Sequence, residues 1–358
     1  MGDAWGRPLR ADVPVTCVLD AHVHSPILNS PAEANEYLRE LVSIGLGGAV
    51  ILGIPPARDL LSNVTLDDVL KEYERNKDLV ERFAAALSSK LTPEALYLTA
   101  ERFSEGFCQF KRHSEISALS NFELLYPANL SLERDELIRS LEEALHRGFG
   151  GFKVISTFFF RRLDDPAVES VFEVADSKDV PITVHTGCDP GIWELPKYCK
   201  YGDPSRLDPI LSRHRNVRVV LAHAGSYSAI APGVFMEEAL DLARRYPEVY
   251  VDTAALPPEL AEMVLRDFPR GKVMYGSDYP AVADEDPREY MEEVFLTMES
   301  AGHPRSELEE YARGTAERVF SLECSDLAQP RGRPRSAPHG PSRHQRRYYP
   351  NILLWCIY

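Results

Sequence analysis

Short, β-branched apolar runs recur along this chain, each followed by a helical stretch, and that alternation restricts the fold more than any other feature. The runs fall at residues 15–20, 48–53, 122–126, 151–155, 181–185, 217–222, 249–252 and 272–275. Several show no in/out alternation, as expected of strands covered on both faces. Helical stretches lie between them, at 132–146, 166–178, 204–214, 233–245 and 257–266. From the fourth run onward the strand-to-strand spacing is about 20–35 residues, the size of one βα unit. Eight strands in this alternation predict an α/β protein built as a closed (β/α)8 TIM barrel rather than an open sheet.

Two segments fall outside that rhythm. The interval from 54 to 122 is too long for one crossover and predicts a helical insertion after strand 2, about residues 60–118. Within it Thr92-Pro93-Glu94 supplies an N-cap, a first-turn proline and a first-turn acid for a helix running to about Phe110. The insertion is a lid, an oligomer contact or a passive decoration. After Leu322 the chain turns rich in Pro, Arg and Ser, so residues 323–358 are expected to be a disordered basic tail outside a barrel spanning 1–322. Six arginines between Arg331 and Arg347 sit in that tail, which either binds an anionic partner or is a dispensable extension, the second reading being favoured.

Composition removes several functions. There are 40 Lys and Arg against 55 Asp and Glu, a net charge of −15, and the tail holds six of the cations. A body that acidic is a poor partner for nucleic acid or an anionic membrane. No apolar run reaches the ~18–20 residues of a membrane span, and the first residues lack an apolar signal region. A cytoplasmic protein acting on a small molecule is expected, with a homo-oligomer left open. The six cysteines form no Cys-x-x-Cys pair, so reduced thiols are the expectation.

The polar residues that end the apolar runs carry the chemistry. In Asp20-Ala21-His22-Val23-His24 the two histidines are two apart, so in a strand they point to one side. His185 ends the fifth strand in Ile-Thr-Val-His-Thr-Gly, and His223 ends the sixth in Val-Leu-Ala-His-Ala-Gly. Asp278 follows the eighth in Tyr-Gly-Ser-Asp-Tyr-Pro, and Lys153 lies in the fourth in Gly-Phe-Lys-Val-Ile-Ser. All would reach the C-terminal rim, where such barrels place their active sites. A single core histidine is usually structural; four histidines and an aspartate at four strand ends are not so easily dismissed.

His22, His24, His185 and Asp278 offer three imidazole nitrogens and a carboxylate, a suitable set for Zn²⁺ or another first-row ion such as Mn or Fe. Such an ion brings the pKa of its water from 15.7 to about 7. Asp278 could then shuttle the water's proton, and His223 could polarise the scissile group. Lys153 is read as a substrate-binding ammonium, as a carboxylated bridge between two metals, or as one half of a structural salt bridge. One or two ions per chain are therefore expected. Candidate specificity residues follow the fourth strand, at Phe158, Phe159, Phe160, Arg161 and Arg162, and the fifth, at Trp193, Lys197, Tyr198 and Tyr201. They would suit an anionic or aromatic substrate; equally, the phenylalanines pack under the loop and the charges are solvated.

Taken together, DAHVH, GFKVIS, ITVHTG, VLAHAG and YGSDYP resemble the amidohydrolase superfamily, in its amidohydrolase-related (type 2) branch. Asp203–Ile210 resembles that branch's lead-in to the sixth strand, and Arg313–Phe320 its terminal helix, with Thr315 where Asn is usual. The resemblance covers about residues 15–322. It implies that His22, His24, His185 and Asp278 are metal ligands. It also implies that His223 is a second-metal ligand or a catalytic contact, and that Lys153 holds a position carboxylated in some relatives. The expected activity is metal-dependent hydrolysis of a lactone, ester or amide, with Asp278 as proton shuttle. The first alternative is a nonoxidative metal-dependent decarboxylase on the same barrel, recognised by carbon dioxide release without consumption of water. The second is a non-catalytic metal-binding barrel, which would not need Asp278 as an acid–base group.

Overall fold

The computed structural model describes residues 13–24, 31–53, 55, 121–187, 196–226, 233–279 and 286–324. The expected helical insertion at about 60–118, Trp193 and the chain beyond residue 324 lie outside the described residues. Eight parallel strands form one sheet in the order β1 to β8. They are β1 (Leu19–His24), β2 (Gly48–Leu52), β3 (Phe122–Pro127), β4 (Gly151–Val154), β5 (Ile182–His185), β6 (Val219–Ala222), β7 (Val249–Asp252) and β8 (Val273–Met274). The sheet closes on itself past β8, where Ala21 N donates to Tyr275 O at 2.9 Å, Asp278 N to His22 O at 2.8 Å and His24 N to Tyr279 O at 2.7 Å. The expected TIM barrel is therefore present.

Around it lie α1 (Pro31–Ile44), α2 (Arg134–His146), α3 (Pro166–Lys178), α4 (Asp208–Arg213), α5 (Met236–Arg245), α6 (Pro258–Asp267), α7 (Pro287–Ser300), α8 (Arg305–Glu309) and α9 (Thr315–Phe320). α3 follows the bounds expected from sequence because both ends are marked. Asp165 accepts from Ala167 N at 2.9 Å, Pro166 opens the first turn and Asp179 closes the helix at φ 52°. The stretch 204–214 was expected as one helix and instead splits into a 3-10 turn, Pro204–Leu207, and α4. Pro209 has no N–H to carry a single helical ladder through that point.

The first strand also differs. It was expected at 15–20 and runs from 19 to 24. Val13, Val15 and Val18 are buried, but as a lead-in beneath the barrel. Apolarity there marks burial, while strand pairing is set by the closing bonds, which engage Ala21 to His24.

The inward residues Leu19, Ala21, Val50, Leu52, Leu125, Val220 and Met274 pack with Ala316, Val319 and Phe320 of α9. Arg218, just before β6, donates from Nη1 to Val319 O at 2.8 Å. The last helix thus closes the N-terminal end of the barrel, opposite the rim that carries the polar residues.

The expectation of reduced thiols is corrected. Cys17 and Cys324 form a disulfide with Cα atoms 6.2 Å apart, and Cys199 is disulfide-bonded as well. Cys17 and Cys324 are 307 positions apart, so no local spacing could reveal them. They meet because α9 returns beneath β1. Among the described residues no helix is long and apolar enough to cross a membrane. Replacing Cys17 and Cys324 together by Ser should lower stability by about 2–4 kcal/mol, read by denaturant unfolding under non-reducing conditions. An unchanged midpoint would mean that the bond adds nothing.

Candidate metal centre

A register shift in β1 aims the first two ligands. Asp20 pairs with Ala49, yet Val23 pairs with Ile51, so β1 carries one extra residue. Such a bulge reverses which side chains face in. Leu19 and Ala21 belong to the inner cluster and Val23 to the outer one, and beyond the bulge His22 and His24 face the barrel mouth. Gly276 permits their close packing, since a Cβ there would lie 3.0 Å from His22 Cβ and 3.1 Å from Ala254 Cβ.

Nε2 of His22 and Nε2 of His24 are 3.3 Å apart, and Asp278 Oδ1 lies 3.2 Å from each. All three side chains are buried. The far side of each imidazole is already engaged. His22 Nδ1 meets Asp252 Oδ2 at 3.0 Å, and His24 Nδ1 meets Leu52 O at 3.1 Å. With the Nδ1 protons donated there, both Nε2 atoms present lone pairs toward a carboxylate oxygen. Three acceptors that converge in this way need a positive charge between them: a proton or a metal ion.

The electrostatics agree. Burial and Lys153 oppose a charge on His22, but Asp252 and Asp278 raise its pKa overall. Burial pushes the Asp278 carboxyl up, yet its close contacts with His22 and His24 and the attraction of a charge on His22 or His223 hold it well below the usual carboxylate range. The donor set of two imidazoles and one carboxylate fits a first-row divalent ion, and these three residues form a tight group without further help.

Of the other expected residues, Lys153 and His223 lie against His22, while His185 meets His223 and is not part of the acceptor group. His185, at the end of β5, stands beside His223, with 3.2 Å between His185 Nδ1 and His223 Nε2. His223 lies 4.8 Å from His22 between ring centroids, and burial takes its imidazole down to about 3, so it is neutral. Lys153 is 1% exposed, with Nζ 3.5 Å from His22 Nε2; burial lowers its ammonium to about 8 against the pull of Asp252 and Asp278. Two of these residues are backbone-strained. His223 and Asp278 have φ of 62° and 65°, in the left-handed region that non-glycine residues rarely enter.

The loop residues expected to contact substrate are placed less directly. Phe158 and Phe159 are buried in the core, and Phe160 packs against it. Arg161 pairs with Asp165 at 2.9 Å and Arg162 pairs with Asp164. Lys197 and Tyr198 lie in a short 3-10 helix, Pro196–Tyr201, and their side chains lie outside the described set. The Tyr201 carbonyl accepts from Ser156 Oγ at 2.9 Å, which joins the loops after β4 and β5.

Two site residues escaped the sequence reading. Asp252 ends β7 and contacts both His22 and the His223 backbone. Its signal was present, because Val-Tyr-Val-Asp is another apolar run closed by a polar residue. Asp20 is buried beneath His22, its Oδ1 accepting from His22 N and Ser277 N at 3.0 Å each. Burial raises Asp20 to about 7 against the lowering effect of those bonds and of Ser277.

The sequence family that matches is described as Amidohydrolase, over residues 126–322, a span that leaves out His22 and His24. No curated protein matches the chain by sequence. Among solved structures, the chain is similar to 5-carboxyvanillate decarboxylase from Novosphingobium aromaticivorans, complexed with manganese and 4-hydroxy-3-methoxy-5-nitrobenzoic acid. That match has 12% identity and a TM-score of 0.54, covering 88% of this chain and 99% of the other. It is also similar to 2,6-dihydroxybenzoate decarboxylase from Rhizobium, with 12% identity, a TM-score of 0.53 and coverage of 86% and 99%. A probable 2-pyrone-4,6-dicarboxylic acid hydrolase from Acinetobacter baumannii matches with 12% identity, a TM-score of 0.51 and coverage of 86% and 100%.

Replacing His22 and His24 together by Ala should lower the affinity for Mn²⁺ or Zn²⁺ at least tenfold in a competition titration. Unaltered affinity would place the ion elsewhere.

Proposed function

The chain belongs to the amidohydrolase family, and from that premise we propose that it is a metal-dependent enzyme releasing carbon dioxide from a small, ring-bearing carboxylic acid. The observation that carries the reading is Lys153, a buried ammonium 3.5 Å from His22 Nε2 within the acceptor cluster. Asp252, brought down to about 2 by His22 and His223 in spite of its burial, and Asp278 are both ionised. Against those two carboxylates stand one ammonium and a divalent ion. One positive charge is left over, and a substrate carboxylate would neutralise it.

A cavity of about 170 Å³ lined by Leu256, Pro257, Pro258, Ser277, Tyr279 and Tyr290 takes no wall from Asp278, Lys153 or the site histidines, so it says nothing about the substrate. The similar structures named above carry the names of enzymes of carboxylic acids, two of them decarboxylases, which supports the choice of reaction.

His22, His24 and Asp278 would hold the ion; His185, expected as a fourth ligand, is not in that group and meets His223 instead. Manganese is favoured by the similar decarboxylase that binds it, and zinc fits the same donors. When bound, the ion supplies a positive centre that polarises oxygen substituents of the substrate. Lys153 draws in the carboxylate. His223, neutral and bonded through Nδ1 to Ala254 O at 2.9 Å, turns Nε2 to His185 Nδ1 at 3.2 Å and so orients that neighbouring ring. Asp278 takes up a proton from water or a substrate hydroxyl and returns it to the carbon that loses carbon dioxide. The carbon–carbon bond breaks, its electron pair stays on carbon, and a carbon–hydrogen bond replaces it.

Hydrolysis of a lactone, ester or amide is the second reading. It is favoured by the ionised state of Asp278, which suits a base that takes a proton from water and returns it to a leaving group. Metal-loaded enzyme incubated with a panel of hydroxybenzoates and of lactones separates the two. We expect carbon dioxide from a benzoate, with deuterium at the vacated carbon in D₂O. Acid release from a lactone without carbon dioxide would replace decarboxylation by hydrolysis, and turnover of neither class would contradict both. Asp278→Asn should lower kcat by about 10²–10⁴-fold while the protein still folds.

A further inference from the structure

Asp252 is 0% exposed and uses both carboxylate oxygens. Oδ2 accepts from His22 Nδ1 at 3.0 Å. Oδ1 accepts from the backbone N–H of His223 at 2.8 Å and of Ala254 at 3.1 Å. The circuit closes on itself, because the Ala254 carbonyl takes the Nδ1 proton of His223 at 2.9 Å. His223, Ala224 and Gly225 make a left-handed turn, with φ of 62°, 49° and 68°. A turn that places two non-glycine residues at positive φ persists only where its surroundings over-determine it. The Oδ1 bond to His223 N is one such restraint.

His22, His223 and Asp252 could also be grouped as ligands of an ion of their own. The occupied oxygens argue against that. Three N–H donors already engage both carboxylate oxygens, and His22 Nδ1, the nitrogen that meets Asp252, is not the one that faces His24 and Asp278.

We propose that Asp252 is a positioning residue that joins the two halves of the site: one oxygen fixes the proton on His22 Nδ1 so that Nε2 faces the metal position, and the other holds the turn that carries His223. The proposal rests on the metal-centre reading above for the role of His22. It extends that reading by making ligand orientation and the placement of His223 depend on one side chain. A carboxylate behind a metal-binding histidine fixes its tautomer, and removing it typically reduces metal affinity 10–100-fold.

Two substitutions separate the two oxygens. Asp252→Asn keeps an acceptor for His223 N and Ala254 N but turns an NH₂ group toward His22 Nδ1. Asp252→Ala removes both. On metal-free protein, the ¹⁵N signals of the histidine rings report which nitrogen carries the proton. The proposal expects Nδ1 of His22 to be protonated in the wild type and unprotonated in Asp252→Asn, with Mn²⁺ affinity 10–100-fold lower. It also expects the amides of His223 and Ala254 to stay protected from hydrogen exchange in Asp252→Asn and to lose protection in Asp252→Ala. A wild-type Nδ1 without its proton would overturn the proposal whether or not either variant folds. So would unchanged protonation and affinity in Asp252→Asn. A wild type that bound no Mn²⁺ would instead defeat the metal reading. The ring signals, read without metal, would still decide what Asp252 does to His22.

Discussion

The meeting of the last strand with the first governs the rest of the structure. β8 contributes only two residues to regular pairing, and the chain beyond it crosses the seam through three backbone bonds to β1, at Ala21, His22 and His24. A barrel can close only if these bonds form, and they fix where Asp278 stands relative to the two histidines. The acceptor cluster therefore straddles the seam, two members on the first strand and one just past the last. An ion held there would tie the two ends of the sheet together and would couple its binding to closure.

The opposite end is built to stay still. α9 fills the base of the barrel with Ala316, Val319 and Phe320, and the Cys17–Cys324 bond ties the approach to β1 to the residues that follow that helix. This rigidity gives the rim room for strain. His223, Ala224 and Asp278 each occupy a backbone region that costs on the order of 1–3 kcal/mol. Fixed donors and acceptors hold them there: His22 O for the amide of Asp278, and Asp252 for that of His223. The polar groups of the rim need little reorganisation when charge develops, which is the property an electrostatic catalyst requires.

The sequence made the barrel legible because helix-covered strands are written as unbroken apolar runs, and seven of the eight were found within two residues of their starts. The first strand was misplaced because its lead-in is as apolar as the strand and only the closing bonds distinguish them. His22, His24, His185, His223, Lys153 and Asp278 were legible as polar residues in or ending such runs. The bulge that turns His22 inward was not, since a bulge depends on register with β2. Asp252 carried the same signal as the histidines, a polar residue closing the apolar run Val-Tyr-Val-Asp. The ion pairs of Arg161 and Arg162 with Asp165 and Asp164 could have been anticipated from their spacing of four and two residues. The disulfide could not.

Anomalous diffraction from crystals soaked in Mn²⁺ tests the central claim most directly. If the converging acceptors are a metal centre, the strongest peak lies between Nε2 of His22, Nε2 of His24 and Oδ1 of Asp278, with Asp252 still on the far side of His22. A map with no peak there, or with the ion bound elsewhere while the three acceptors keep their mutual contacts, would contradict it.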